Sequence, residues 1–479
     1  GGASASADGH LLPGLEGYLQ GIFAEISEIP PDRLNMNTPL EHYGIHSMMI
    51  TRLNGRLERD FAECPKTLFF ECRTLREAAQ YLCSTYPVQA RKLLGVDPAQ
   101  PGDETAAFQA PGNCKPRGMQ TLCPPDGGSG PVPAGNSRHV AIVGMDGRYP
   151  QAETLDEYWQ NLQQGIDCIT EIPTERWDYR PHFDPGQRTP GKMYSKWGGF
   201  MADADAFDPL FFNISPKEAE IMDPQERLFL QTVWHTFENA GYSREAMQRA
   251  FGGRVGVFVG VMYAEYQLYN AVRHEDADPV SVVSAYGSIA NRISYFFDFH
   301  GPSMAVDTLC SSSLTALHLA IESIKRGECE AAVVGGVNLS LHPAKYLMHS
   351  QMSMSSTDGR CRSFGEGGNG FVPGEGVGAV LLKPLDKAVA DGDHIYGVIK
   401  GTAVNHGGKT NGYTVPDPVA QSELILAGLR QAEVDARTVS YVEAHGTGTL
   451  LGDPIEIAGL TRSFRMFTGE NQFCPLGSV

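Results

Sequence analysis

One cysteine sits in a setting suited to nucleophilic chemistry. The stretch from Ala305 to Leu314 reads Ala-Val-Asp-Thr-Leu-Cys-Ser-Ser-Ser-Leu. Met304, Ala305 and Val306 form an apolar, strand-like approach, and Leu314, Leu317, Ile321 and Ile324 follow at helical spacing. Cys310 therefore falls where a strand turns into a helix, and the positive end of the helix dipole there favours its thiolate. Ser311 to Ser313 leave little bulk around the sulfur. The same ten residues also suit a buried structural cysteine, the common fate of a free thiol, so this stretch alone leaves both readings open.

A thiolate nucleophile needs a proton partner and donors for the oxyanion it creates. The sequence offers one such stretch, Val442-Glu443-Ala444-His445-Gly446-Thr447-Gly448-Thr449. A strand candidate runs out into a glycine-threonine loop with His445 at its mouth, where layered α/β proteins bind ligands. A lone histidine is more often structural; a cysteine to pair with makes His445 a catalytic candidate. Gly452-Asp453-Pro454-Ile455-Glu456 follows, and its spacing predicts a capped helix start, with Asp453 as cap, Pro454 as first helical residue and Glu456 closing the box. His406, in Asn405-His406-Gly407-Gly408, reads as structural.

A third reactive position lies near the N-terminus. Leu15, Leu19, Ile22, Phe23 and Ile26 predict a helix, and a second should start near Ser47 with Met49, Leu53 and Leu57 on one face. Leu68 to Phe70 form an apolar cluster. Thr74 and Glu77 make a capping-box pattern before a last helix through Leu82. Four short helices around a small core make a bundle, placed over residues 11–86. Ser47 stands at its loop-to-helix junction, where an N-cap needs only a hydroxyl. Arg52, Arg56 and Arg59 read as a solvated face. Residues 87–137 are rich in proline and glycine without apolar periodicity, the signature of a flexible tether. Cys114 and Cys123 within it read as incidental. From 138 to 479 strand and helix patterns alternate, which means an α/β layered domain. Strand candidates are Val255–Val259, Ala331–Val334, Ala379–Leu382, Tyr396–Lys400 and Val439–Ala444, after a buried strand from His139 ending at Gly144. Helix candidates are Leu228–Ala240, Ser312–Lys325 and Gln421–Gln431.

Composition narrows the function classes. A chain of 479 residues holds two or three domains. A net charge of −18 argues against a nucleic-acid surface. No apolar run is long enough to span a bilayer, and the small polar start from Gly1 to His10 lacks a signal-peptide core and reads as the tail of a linker cut from a longer chain. The ten cysteines show no metal or disulfide spacing, so a reducing, cytoplasmic setting is expected. The glycines at 144–147 and 365–370 complete no phosphate-binding fingerprint.

On these residues the chain resembles two known families. Tyr43-Gly44-Ile45-His46-Ser47-Met48-Met49 and Thr67-Leu-Phe-Phe-Glu71 are similar to an acyl carrier protein, whose motif carries 4′-phosphopantetheine on the position of Ser47; His46 departs from the aspartate usual there. From about His139 the chain resembles a β-ketoacyl synthase of a modular polyketide synthase. The matching stretches are Phe207-Asp208-Pro209, Phe211-Phe212, Met222 to Arg227, the Cys310 stretch, Cys361-Arg362-Ser363-Phe364, Gly374-Glu375-Gly376 and the His445 loop. The wording of both domains is most like systems served by a separate acyltransferase.

The resemblance implies a thiolase-like, layered α/β fold, usually homodimeric, behind an all-α four-helix carrier. It implies that Cys310 takes an acyl chain from a carrier as a thioester. A malonyl-type extender on another carrier then loses CO₂. His445 stabilises the resulting enolate by hydrogen bonding the thioester carbonyl, and the enolate attacks the Cys310 acyl group. Thr447 and Thr449 would hold the pantetheine arm, which their loop-forming character alone does not require, and Asp453 and Glu456 would order the loop. A phosphopantetheinyl transferase is implied for Ser47. The family continues past Val479 with a second catalytic histidine, a structural lysine and a gating loop, so the ketosynthase is expected to be C-terminally truncated and this chain not to condense alone. The alternative is a non-elongating ketosynthase that only transacylates or serves as a carrier-binding scaffold. A fatty acid synthase or thiolase fits the fused carrier and tether less well.

Overall fold

The computed structural model describes residues 11–27, 29–43, 45, 47–61, 64–95, 139–186, 189–271, 284–410, 412 and 414–479. The chain divides into two compact units, one made of N-terminal helical segments, the other of the α/β fold together with residues 44–51 and 65–70.

The N-terminal helices are Leu11–Ser27, Ser47–Asp60, Leu68–Glu71 and Leu75–Thr85. Leu15, Leu19, Ile22 and Phe23 of the first are buried, as are Met49, Leu53 and Leu57 of the second. The apolar periodicity thus becomes a core stripe. Arg76 Nε meets Glu16 Oε1 at 2.7 Å across the first and last of these helices. Thr74 caps the last one, its Oγ1 accepting from Glu77 N at 3.1 Å. Glu77 reaches one residue further back than a capping box requires and accepts from Arg73 N at 2.6 Å. Where a tether is expected from residue 87, the chain first forms another helix, Pro87–Leu93, with Pro87 at its first position. The rest of the expected tether, 96–137, lies outside the described residues, as does His46.

The α/β unit is built on a six-stranded sheet. Its order is Ser303–Val306, Val255–Gly260, Ala331–Asn338, Gly376–Pro384, Val140–Arg148, Gly397–Ile399. The first three strands are parallel and the remaining pairings antiparallel. Alternate residues serve two cores, as a strand's period of two dictates. Val255, Val257, Val259, Ala331 and Val333 pack with helices Pro224–Asn239 and Tyr286–Phe297. Phe258, Ala332 and Val334 pack with helix Ser312–Lys325 on the other face. Burial on both faces explains why Val255–Gly260 reads as one continuous apolar run. The first strand does not stop at Gly144; it continues to Arg148 through an irregularity between Ile142 and Gly144, where Asn239 Oδ1 accepts from Met145 N at 3.0 Å. The strand expected over Val439–Ala444 shrinks to Val442–Glu443, paired with Leu476–Gly477, because Val439 closes a turn over Ala436–Thr438 capped by Asp435.

Two stretches singled out in the sequence act as bolts. Asp223 caps helix Pro224–Asn239, Gln225 donates to Tyr263 O at 2.7 Å and accepts from Leu339 N, and Glu226 accepts from Arg292 Nε at 2.9 Å. Buried Glu375 gathers Arg176 Nη2 at 2.8 Å, Met201 N and Ser340 N. Three donors satisfy a carboxylate that would be costly to bury unpaired.

The helix that follows Cys310 lies closer to the sheet than its leucines suggest. Its buried face is Ser312, Ala316, Ala320, Ile321, Ser323 and Ile324, while Leu314 is 72% exposed. Small residues allow that approach, and two strand-end glycines complete it. A Cβ on Gly260 would stand 2.5 Å from Ser313 N, and one on Gly336 would strike Ser313 Oγ. Gly260→Ala is expected to cost about 1–3 kcal/mol by overpacking and to slow alkylation of Cys310, because the added methyl pushes the helix start away. Denaturant unfolding and iodoacetamide labelling measure both; unchanged labelling with unchanged stability would contradict this packing.

Candidate active site

Cys310 follows strand Ser303–Val306 by four residues and precedes helix Ser312–Lys325. The turn that carries it is braced by its own hydroxyls. Thr308 N donates to Ser312 Oγ at 2.9 Å, Ser312 Oγ donates to Leu309 O at 2.5 Å, and Thr308 Oγ1 meets Thr315 Oγ1 at 3.0 Å. Leu309 has φ 58°, a left-handed conformation that a leucine rarely adopts. Strain of this kind persists only where the surroundings over-determine it, and here it turns the next side chain, the thiol, outward. Cys310 is exposed.

The loop after Val442–Glu443 brings His445 to this thiol. The Cys310 thiol and the His445 imidazole stand close enough for each to shift the other's acidity. The imidazole is the main cause holding the Cys310 thiol below the ordinary thiol range, against partial desolvation by the surrounding chain, which pushes it up. The thiol in turn raises His445 above the ordinary imidazole range, again against partial desolvation, with Glu456 and Asp453 adding in the same sense. Both shifts favour a thiolate–imidazolium pair. A specific partner thus acts on the thiol alongside the helix dipole expected from the sequence.

The carboxylates after the loop act differently from their local spacing. Helix Gly452–Phe464 starts before Pro454 and has no side-chain cap. Glu456 instead accepts from His445 N at 2.7 Å and from Gly446 N at 2.9 Å. Asp453 accepts from Gly448 N at 3.0 Å and from Phe364 N at 2.6 Å. The capping-box expectation fails because tertiary donors outcompete the helix's own N–H groups. The expectation that both residues order the loop holds. Gly446 at φ 49° and Gly448 at φ 63° supply the turns this loop needs. Thr447 and Thr449 sit in it with their hydroxyls 2.9 Å apart, and Thr449 Oγ1 also accepts from Gly452 N.

Sequence reasoning missed the second strap over the loop. Ser363 Oγ donates to Gly446 O at 2.5 Å, Cys361 Sγ lies 3.6 Å from the same oxygen, and Phe364 is held at φ 57°. The stretch Cys361–Phe364 carried the signal, without saying which loop it would touch. His406 is exposed and accepts from Gly408 N in its own turn. Ser47 is the first residue of the 14-residue helix Ser47–Asp60.

His445→Ala is expected to move the pH inflection of Cys310 alkylation upward. The sign follows from the contact: a partner that stabilises thiolate lowers the thiol's pKa, and its loss returns the group toward the ordinary range near about 8.5. Iodoacetamide rates across neutral and alkaline pH on both proteins check it; coincident profiles would show that the imidazole does not set the thiol's acidity.

Comparisons with known proteins agree with this geometry. Residues 137–388 match the family described as Beta-ketoacyl synthase, N-terminal domain, residues 396–479 its C-terminal domain, and residues 17–82 the Phosphopantetheine attachment site. Polyketide synthase PksL of Bacillus subtilis (strain 168) is 53% identical over 97% of this chain, which spans 10% of that protein. Polyketide synthase ThaG of Burkholderia thailandensis is 50% identical over 96% of the chain and 8% of its own length. Among solved structures, the oxazolomycin ketosynthase domain OzmH KS7 of Streptomyces albus JA3453 superposes with a TM-score of 0.68 at 54% identity, covering 72% of this chain and 58% of that one. The ketosynthase from module 6 of the bacillaene synthase of Bacillus subtilis 168 gives 0.65 at 43% identity, covering 71% and 57%. The thiolase-like ketosynthase fold expected from the sequence is therefore present, behind a carrier domain that takes 4′-phosphopantetheine covalently. With a matched domain covering more than half of its length, this chain belongs to the β-ketoacyl synthase family, in the form found in polyketide synthases.

Proposed function

We propose that this chain is the acyl-accepting part of a polyketide elongation step, with Cys310 as nucleophile. The pairing of Cys310 with His445, which lowers the thiol's pKa, carries this reading. The thiolate attacks the carbonyl of an acyl thioester brought by a carrier; the new C–S bond forms, the old one breaks, and the departing thiol takes the proton that His445 held. In the second half-reaction a malonyl-type thioester loses CO₂. His445 donates a hydrogen bond to its carbonyl, the enolate carbon attacks the Cys310 acyl carbonyl, and the Cys310 thiolate leaves as the C–C bond forms. Thr447 and Thr449 hold the pantetheine arm of the incoming thioester, and Asp453 and Glu456 hold the loop that carries them.

Ser47 is the attachment residue of the carrier. Its place as first residue of a helix suits a phosphodiester, since the free N–H groups and the dipole there favour an anion. Attached 4′-phosphopantetheine supplies a thiol on a long arm for carrying acyl thioesters. A phosphopantetheinyl transferase installs it. The carrier spans 11–86, the ketosynthase 138–479, and a tether joins them, its first residues helical. A separate acyltransferase supplies the extender, a reading that rests on the wording of both domains. The setting is cytoplasmic and reducing, as a working thiol requires; no helix among the described residues is long and apolar enough to cross a membrane. Strand Ser303–Val306 is an edge of the described sheet and carries exposed Met304, with exposed Leu309 and Leu314 close after it in the chain, which supports homodimer formation in the full protein.

A second reading, transacylation without elongation, is favoured for this chain alone. Among the described residues His445 is the one imidazole that shifts the acidity of Cys310, and one imidazole is enough to exchange a thioester. Intact mass measurement after incubation with an acyl thioester should show one acyl group on the wild type and none on Cys310→Ala. Ser47→Ala should lose the phosphopantetheine adduct that a competent transferase gives the wild type. With malonyl carrier added, no β-ketoacyl product is expected; its appearance would overturn the loading-only reading, and acylation of Cys310→Ala would overturn the nucleophile.

A further inference from the structure

Behind the thiol lies a polar cluster that acyl transfer as described does not use. Strands Val255–Gly260 and Ser303–Val306 are parallel neighbours with Gly260 opposite Val306. Tyr263 and Cys310 follow their ends by three and four residues, so both emerge at the same end of the sheet, side by side. Three restraints fix Tyr263. Gln225 Nε2 donates to its carbonyl at 2.7 Å, the Lys345 ammonium stands 4.5 Å from its ring centroid, and its hydroxyl lies 3.2 Å from His349 Nε2. His349 is 6% exposed, packed edge-on against Tyr263 and Phe371, and its Nδ1 is buried with no hydrogen-bond partner. Glu265 Oε1 in the same cluster is also buried and unpartnered, while Glu265 Oε2 lies 3.5 Å from Lys345 Nζ.

Buried polar groups left unpaired each cost about 1–3 kcal/mol, so a cluster of them beside a nucleophile is kept against a penalty. A bound group with its own oxygen would relieve it. Phe371 links the cluster to the histidine loop, because its chain neighbour Gly370 donates from N to Gly448 O at 3.1 Å. The cluster thus borders both the strand end that leads to the thiol and the loop that faces it.

We propose that Tyr263, oriented by His349, is a specificity residue of the acyl site and selects chains bearing an oxygen substituent close to the thioester. The inference rests on the acyl-accepting role of Cys310. Burial keeps the tyrosine protonated, its pKa pushed up to about 12, and keeps His349 neutral, lowered to about 4. Both therefore act as hydrogen-bonding groups rather than charges. A site built to pair with an oxygen rejects the analogue lacking it far more strongly than an apolar pocket distinguishes the two.

The test is a competition between the N-acetylcysteamine thioesters of 3-hydroxybutyrate and butyrate, equal in chain length, with loading on Cys310 read by intact mass. The wild type should prefer the hydroxyacyl group by about tenfold or more. Tyr263→Phe should collapse that ratio, His349→Leu should lower it in the same direction, and His349→Gln should restore part of it. Thermal melting checks that each variant is folded, and Tyr263→Phe decides the matter if His349→Leu is not. A wild-type ratio near one, or equal losses for both groups in Tyr263→Phe, overturns the proposal while leaving acyl loading intact. Failure of either thioester to load on wild-type Cys310 instead overturns the acyl-accepting role itself, and this inference with it.

Discussion

A thiol and an imidazole share a proton only when two backbone segments far apart in sequence are held within hydrogen-bond reach. That constraint organises the α/β unit. On the cysteine side the helix start is pressed onto Gly260 and Gly336, so the thiol cannot drift along the sheet. On the histidine side, two carboxylates from one helix turn grip four backbone N–H groups. Positional precision of this kind supplies much of a nucleophile's advantage, because misplacement by about 1 Å can cost roughly a hundredfold.

The electrostatics follow from the same arrangement. Glu456 is spent on the backbone of His445 and Gly446, yet its charge still lies near the imidazole and favours the protonated form. Asp453 does the same from the far side of the loop while also fixing Phe364. A structural clamp and a bias toward imidazolium are therefore one device. Replacing either carboxylate by an amide would keep an acceptor for the backbone and remove the charge, which separates the two effects.

Much of this is legible in the sequence, and the failures share one physical origin. Helix Ser312–Lys325 is readable from its period alone, and so are the buried runs of the central strands. Periodicity puts Leu314 on the buried face because it ranks large apolar residues first. The packing instead selects Ala316 and Ala320, which let the helix approach the sheet. Asp453 and Glu456 carry the spacing of a capping box, and nothing within that stretch distinguishes a cap from a clamp. The donors that decide it for Asp453, Phe364 N and Gly448 N, belong to loops outside that helix turn. The pairing of Cys310 with His445 follows from their chemistry before any geometry is in view.

Tyr263 and His349 carry no local signature at all. An aromatic residue just beyond a buried strand and a histidine within a helix are ordinary features, and their meaning comes from topology. Placing strands Val255–Gly260 and Ser303–Val306 side by side puts the residues after them into one site. In a layered α/β fold the chemistry collects beyond the strand ends. The informative pairs are therefore residues at similar distances past neighbouring strands. The strand order, which a single sequence does not display, makes the tyrosine a neighbour of the thiol.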